Sequence, residues 1–315
     1  MPFTTNTLLN FYDLQNELFT ASITETPMLA MSGGLTGGLF TENFDYPTSV
    51  GYALPAPGQN VVSELASLGA PVATQVVRAQ VANTSQIHHY AIQVSYKHMA
   101  SMNRLSGIAT GGVRPTVDDE VNFQIARHLQ IIANDLEFSM IQGQFVAAAN
   151  AGVVAQTRGL QGAAGAIQTL GGTSVNNLGN PLTLPVMQAF LLQMYNAGAM
   201  FKNPVIFVGG RLKQVISGIY GFAPTSRNVG GVNIEQIVTD FGNIGIVTSR
   251  NTFANSVLLA DMEVIAPVFQ QVPGKGTIFY EELGRAGGGV QGQIYGITGM
   301  DHGPAFAHGE IINIG

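Results

Sequence analysis

The chain has 315 residues, and only 10% of them are Asp, Glu, Lys or Arg, against about 25% in an average soluble domain. Mean hydropathy is +0.23, 39 residues are glycine, and the net charge is -6 with an isoelectric point near 5.4. This balance excludes generic electrostatic attraction to nucleic acid, and the absence of cysteine excludes disulfides, thiolate metal sites and cysteine nucleophiles. A surface so poor in charge is expected to be covered by copies of the chain or by partners.

Met1-Pro2-Phe3-Thr4-Thr5 lacks the basic start and apolar run of a signal peptide. The first 40 residues are irregular, with a short helical pattern at Leu8 to Phe19, then Thr26-Pro27 and the pairs Gly33-Gly34 and Gly37-Gly38. Such a stretch has no core of its own and reads either as an arm packing on something else or as a frayed terminus. Pro47, Pro55 and Pro57 punctuate Thr41 to Gly69. Two strands are predicted next, Gln75 to Ala82 and Ile87 to Met99, joined through Asn83-Thr84-Ser85 as a long hairpin. The second alternates Tyr90, Ile92, Val94 and Tyr96 with Ala91, Gln93, Ser95 and Lys97, the pattern of a half-buried antiparallel strand.

The strongest element follows. Val121, Ile125, Leu129, Ile132, Leu136 and Met140 make one continuous helical face, with Thr116 and Asp119 as a capping box and Asp118, Asp119 and Glu120 in the first turn. Running from Val117 to Gln142, with Gly143 at its end, this helix is roughly 40 Å long. Ala147 to Pro181 reads as a small-residue loop, Pro185 to Ala199 as an amphipathic helix through Val186, Phe190 and Met194, and Val205 to Val208 as a buried strand before a helix at Arg211 to Tyr220. Strands are predicted at Ile244 to Thr248, Val257 to Ala260, Glu263 to Phe269, Ile278 to Glu281, Gln291 to Ile297 and Glu310 to Ile314. The uncharged runs Phe138 to Thr157 and Gly159 to Phe201 are broken by Gln, Asn and Pro and read as buried or interface segments, not membrane spans. The fold class is α+β.

Chemistry is sparse. His88, His89, His98, His128, His302 and His308 show no metal-binding spacing; His88 and His98 share a strand face but stand roughly 33 Å apart. Asp301-His302 resembles an acid-oriented base, yet no nucleophile elbow accompanies it and Gly303-Pro304 reads as a turn. Glu281 and Glu282 point to opposite faces of a strand, unlike a glycosidase dyad. Pro273-Gly274-Lys275-Gly276-Thr277 has Phe269 where a phosphate loop needs glycine, and Gly284 and Gly287-Gly288-Gly289 precede no helix, so both read as hairpin turns. No catalytic, cofactor-binding or metal-ligating residue is expected. One charge pattern remains: Phe138 to Ile234 contains no Asp or Glu, while Arg158, Lys202, Arg211, Lys213 and Arg227 fall within it. It reads as an interface depleted of charge, or as a face for a polyanion or acidic neighbour.

The order of parts, with Asn83-Thr84-Ser85-Gln86-Ile87 before Val94-Ser95-Tyr96, Asp135-Leu136-Glu137, Gln142-Gly143, Thr157-Arg158-Gly159-Leu160, Phe241-Gly242-Asn243-Ile244 and Thr248-Ser249-Arg250, resembles the major capsid proteins of tailed bacteriophages, the Hong Kong 97-like fold. The resemblance implies an N-terminal arm at 1–40, an extended E-loop at 41–99, a peripheral domain with the spine helix at 100–150, an axial domain at 151–265 and a return to the peripheral domain at 266–315. It implies a structural protein forming hexamers and pentamers of an icosahedral shell around double-stranded DNA, held by weak nonspecific contact. Its place would be the virion, assembled in the host cytoplasm, with scaffolding, portal or decoration proteins as separate partners and no membrane. Met1 to Phe40 is too short and uncharged for a fused scaffold. Some members of the fold join an E-loop lysine to a neighbour's asparagine; here no lysine precedes Lys97, so no such covalent mesh is expected. The alternatives are an encapsulin-like nanocompartment shell, which shares the fold, an enzyme with an unrecognised site, and a tail, tube or decoration protein.

Overall fold

The computed structural model describes residues 25–35, 37–52, 61–70, 75–76, 78–97, 120–147, 149–220, 225–229, 232–283 and 287–315. In chain order the elements are α1 (Pro27–Met31), β1 (Leu39–Thr41), β2 (Asp45–Tyr52), α2 (Glu64–Ser67), β3 (Arg78–Thr84), β4 (Gln86–Ser95) and the long helix α3 (Glu120–Gln142). Then come α4 (Ala166–Thr169), β5 (Thr173–Asn176), α5 (Leu184–Asn196), β6 (Pro204–Val208), α6 (Gly210–Tyr220), β7 (Thr225–Val229), β8 (Val232–Thr239) and β9 (Gly242–Thr248). The chain closes with β10 (Val257–Asp261), β11 (Ala266–Gln270), β12 (Ile278–Leu283), β13 (Gly289–Asp301), a 3-10 turn at Ala305–Ala307, and β14 (Gly309–Ile312).

These strands build three sheets. Seven form the largest, in the order β5-β14-β10-β6-β9-β8-β7. Its central strands β6 and β10 are buried at every position, as expected of unbroken apolar runs covered on both faces. On one face Phe190, Leu191 and Met194 of α5 and Leu212 and Ile216 of α6 pack on Ile206, Val208, Val257, Leu259 and Ile311. On the other, Met28 and Leu29 of α1 and Leu136, Met140 and Ile141 of α3 pack with Val205, Phe207, Leu258 and Ala260. The five-stranded sheet is organised by β13, which pairs with β4 along one edge and with β12 and then β11 along the other, while β1 adds parallel to β11. Ile92, Val94 and Ile294 of this sheet pack against Ile132 of α3 in a smaller core. The third sheet is the two-stranded ribbon β2-β3.

The helical face predicted in the spine is the buried one: Ile132, Leu136 and Met140 are fully covered, and Val121, Ile125 and Leu129 pack beside the smaller core. The expected helix at Leu8 to Phe19, the capping box Thr116 and Asp119, and His98 lie outside the described residues.

The expected hairpin is corrected. β3 does not pair with β4; it runs antiparallel to β2, and β4 joins the five-stranded sheet through β13. Only Ser85 separates β3 from β4, and a chain reversal between paired strands needs about two loop residues, so the chain passes on from one sheet into the next. Two further differences concern short or polar strands. The small-residue loop contains α4 and β5, and β7 and β8 form a hairpin that hydrophobic periodicity had not indicated. The segment from Ala266 onward is shared between sheets: β11, β12 and β13 lie in the five-stranded sheet, while β14 inserts between β5 and β10 in the seven-stranded one. Ile311 anchors it there, fully buried.

One glycine pair fixes how the spine ends. A Cβ on Gly159 would stand 2.6 Å from Ser139 O, and one on Gly143 would stand 2.5 Å from Thr157 O. The returning chain hydrogen-bonds the helix end there, through Gly159 N to Gly143 O at 2.9 Å and Leu160 N to Met140 O at 3.0 Å. Gly159→Ala is therefore expected to cost about 1–3 kcal/mol in urea unfolding of unassembled subunits. Gly218→Ala, inside α6 with open space around it, is expected to stabilise by about 0.5–1 kcal/mol.

Candidate functional site

Two of the short motifs, Asn83 to Gln86 and Thr157-Arg158, converge at one place, the root of the β2-β3 ribbon. Asn83 donates through Nδ2 to Met300 O at 2.8 Å and Arg158 O at 3.1 Å, and its Oδ1 accepts from Arg158 N at 2.7 Å. Gln86 Nε2 donates to Ser139 Oγ on the spine at 2.8 Å, and Gln86 Oε1 accepts from Thr157 N at 3.2 Å. Tyr46 Oη donates to Met300 O at 3.1 Å, and burial raises its hydroxyl far above the usual tyrosine range, so it stays protonated. Gly299 opposite has no room for a side chain because Tyr46 occupies that space. Asn, Thr and Ser at 83–85 had suggested a turn; here their polarity serves grips between distant segments.

A second layer of the root is a pair of histidines. Thr48 Oγ1 meets His302 Nε2 at 3.3 Å, and His302 Nδ1 donates to Gly303 O at 2.7 Å. His308 Nε2 donates to His302 O at 2.7 Å, and His308 Nδ1 accepts from Asp261 N at 3.2 Å at the end of β10. Both rings are fully buried, and burial pushes both down to about 4, so they are neutral at pH 7. They link the ribbon to the seven-stranded sheet.

The N-terminal side is held by Glu137. Its side chain is fully buried in α3, and its two carboxylate oxygens accept from Met28 N at 3.1 Å and Leu29 N at 2.7 Å, in the first turn of α1. Burial pushes the carboxyl up to about 7, against the pull of these two N–H groups. Periodicity cannot reveal such a role, because Glu137 sits beside Leu136 on the covered side of the helix, where a carboxylate has no place in an apolar pattern.

The remaining chemical candidates are dispersed. His88 is buried against Thr298 Oγ1 at 2.9 Å, His89 meets Gln293 Oε1 at 2.9 Å on the opposite face, and His128 meets Gln124 O at 2.8 Å on its own helix. Asp301 accepts from Gly303 N at 2.9 Å and does not orient His302. Glu281 pairs with Lys275 at 2.5 Å on the surface, and Glu282 alternates to the other face of β12. Lys275 lies in a tight turn closed by Val272 and Gly276, and Gly287 and Gly288 lead into β13 of the β12-β13 hairpin. Among the described residues no group of three or more His, Cys, Asp or Glu could hold a metal ion, and no helix is long and apolar enough to cross a membrane. What the geometry builds is a set of braces holding a ribbon and an N-terminal segment to a rigid body.

Comparison with known proteins places that body. A family profile described as SU10 major capsid protein matches residues 1–315. This chain belongs to that family. It is a structural shell protein, a component of the virion, and the capsid alternative is favoured over the encapsulin one because the family match spans the whole chain. Among solved structures, the cyanophage A-1(L) capsid asymmetric unit aligns with a TM-score of 0.64 at 16% identity, over 98% of each chain. The capsid of the native GTA particle aligns at 0.58 and 10% identity, over 98% of this chain and 96% of that one. The holo-SrpI encapsulin complex of Synechococcus elongatus PCC 7942 aligns at 0.57 and 12% identity, over 96% of this chain and 93% of that one. At such identities the likeness shows the fold, which is Hong Kong 97-like. No curated protein sequence matches the chain.

Two predictions follow from the braces. Glu137→Ala leaves two buried N–H groups without acceptors, so a loss of roughly 2 kcal/mol or more is expected, with faster protease cleavage near α1; Glu137→Gln keeps one acceptor and loses less. The histidines bind protons more readily unfolded than folded, so their contribution is complete above pH 6.5 and declines as pH falls toward 4. Urea unfolding of His308→Gln should therefore show a deficit at pH 7.5 that shrinks by roughly 1.4 kcal/mol per pH unit between 6.5 and 4.

Proposed function

We propose that this chain tiles an icosahedral head as hexamers and pentamers, enclosing double-stranded DNA. The observation that carries the reading is the whole-chain match to a major capsid protein family. In this reading residues 1–40 are the arm, with α1 docked on Glu137, and 41–99 supply the extended loop, whose stalk is the ribbon β2-β3 and whose last strand, β4, is shared with the peripheral sheet. The spine α3 and the five-stranded sheet make the peripheral domain. The seven-stranded sheet, β14 included, makes the axial domain, so the return at 266–315 serves both. The role is structural and not enzymatic.

The chemistry of assembly follows from composition. With 10% charged residues, contacts between copies rest on apolar and backbone groups, which salt does not screen. A net charge of -6 makes contact with packaged DNA weak and nonspecific. Scaffolding, portal or decoration proteins are separate partners, and assembly takes place in the host cytoplasm. The stretch from Met1 to Tyr96 has no lysine, and Lys97 falls only at the end of the 41–99 loop, so no covalent mesh through a lysine along its reach is expected.

Negative-stain electron microscopy of the purified protein is expected to show closed polyhedral shells or uniform rings that persist in about 1 M NaCl, where the Debye length is only about 3 Å. On denaturing gels these shells should run as monomer. A dispersed monomer at assembly concentrations would overturn the reading, and covalent ladders would overturn the absence of cross-links. Co-purified enzyme cargo in place of DNA would shift the assignment to a compartment.

A further inference from the structure

The spine carries a second apolar stripe besides its core face. Phe123, Arg127, Ile131, Asn134 and Phe138 follow one another along α3 at steps of four and three, on the side turned away from Ile132, Leu136 and Met140. Ile131 and Phe138 are 43% and 48% exposed, and Phe123 is half-buried. The Arg127 guanidinium lies over the Phe123 ring at 5.1 Å from its centroid, and its Nη1 donates to Gln130 Oε1 at 2.8 Å. Arg127 enters none of the ion pairs among the described residues, which are Lys213–Glu235, Arg250–Glu25 and Lys275–Glu281. The stripe is thus apolar, interrupted by Arg127 and Asn134.

The described chain begins beside this stripe. Glu25 stands 3.8 Å from Arg250, the neighbouring Asn251 donates through Nδ2 to Asn134 Oδ1 at 3.3 Å, and Met28 N and Leu29 N reach Glu137. Residue 25 is therefore tied at the level of positions 134–138 of the spine. Residues 1–24 lie outside the described residues, and their sequence supplies an occupant. Placed on a helix, Leu8, Phe11, Tyr12, Leu14, Leu18 and Phe19 fall on one side, and Asn10, Asp13 and Glu17 on the other. Gln15 is the polar position inside that apolar side. A helix this short is marginal in water and needs a surface to cover its apolar side. The link 20–24 spans at most about 17 Å, while Ile131 stands only about 5–10 Å along the spine axis from positions 134–138. The chain's own stripe is within reach.

We propose that residues 8–19 dock as a helix along this stripe of their own chain's spine, running parallel to it. One register sets like beside like, because both faces repeat at steps of four: Phe19 on Ile131, Gln15 beside Arg127 and Phe11 on Phe123. In that register about 18 Å of helix covers the spine back to its start at Glu120, and Phe138 lies beside the link that leads to Glu25. The contact belongs to the single subunit, so it goes beyond the shell reading and does not depend on it.

The test uses full-length subunits held below their assembly concentration, so that its outcome is separate from whether shells form. In hydrogen exchange of the unmutated protein, amides of residues 8–19 are expected to exchange at least about tenfold more slowly than in a free chain. Ile131→Asp, at an exposed position, should return them to free-chain rates, whereas Val154→Asp, at a position 74% exposed off the spine, should leave the protection unchanged. Free-chain exchange of 8–19 in the unmutated protein, or protection that survives Ile131→Asp, would overturn the docking. The chain has no cysteine, so introduced pairs report cleanly. Phe19→Cys combined with Ile131→Cys is expected to close a disulfide within one chain on mild oxidation, and a mixture of the two single variants should remain monomeric on denaturing gels. A disulfide-linked dimer from that mixture would place the segment on a second copy and overturn docking within the chain.

Discussion

The two larger sheets are held in one body by about one and a half turns of the spine, Leu136 to Ile141. Leu136, Met140 and Ile141 are fully buried in the core shared with Phe207, Leu258, Phe269 and Met300, while Ile132, one turn earlier, belongs to the smaller core beneath β4 and β13. One rigid rod thus enters two cores. A side chain of this size contributes roughly 1.5–3 kcal/mol when fully covered, so this turn outweighs any single polar contact in the molecule. The close approach of Gly143 and Gly159, the docking of α1 and the path of the chain after the spine all depend on where that turn sits.

Around this apolar joint three buried carboxylates tie separate segments together. Glu137 receives the first N–H groups of α1, and Asp261 receives those of Lys202, Asn203 and Glu263. Glu310 is fully buried on Gln168 and Ser174, and burial raises its carboxyl. Glu137 and Asp261 fix backbone at a helix start and a loop, Glu310 joins side chains of α4 and β5, and all three lie away from the surface. That is consistent with a subunit whose outer faces meet other subunits and not bulk water.

The ribbon illustrates a different balance. Its base is gripped by Tyr46, Thr48, Asn83 and Gln86, whereas Val61, Leu65 and Leu68 on and beside α2 are 80%, 80% and 81% exposed. The body therefore determines the ribbon's origin through directional hydrogen bonds, and the apolar residues beyond it are left exposed among the described residues. A shell protein needs both properties, a defined launch point and surfaces that gain cover on assembly. The buried neutral histidines make the launch point sensitive to acid, because a proton on either ring would be added where no solvent is available to stabilise it.

Much of the architecture was legible in the residues. The spine face from Val121 to Met140, the unbroken apolar strands β6 and β10, and the alternation in β4 are local patterns whose periods follow from backbone geometry, and the structure places each as those periods require. The scarcity of charge pointed to an assembling protein for the same reason that exposed apolar surface is costly in water. The partner of each strand was decided only in three dimensions: β3 turned to β2, because one residue before β4 cannot reverse the chain, and β14 crossed to the seven-stranded sheet. The braces also lay beyond local reading, since Glu137 with Met28, or His302 with Thr48, joins residues more than about 100 positions apart. Periodicity reports which face of an element is buried; which neighbour buries it is settled by how all the faces close into one core.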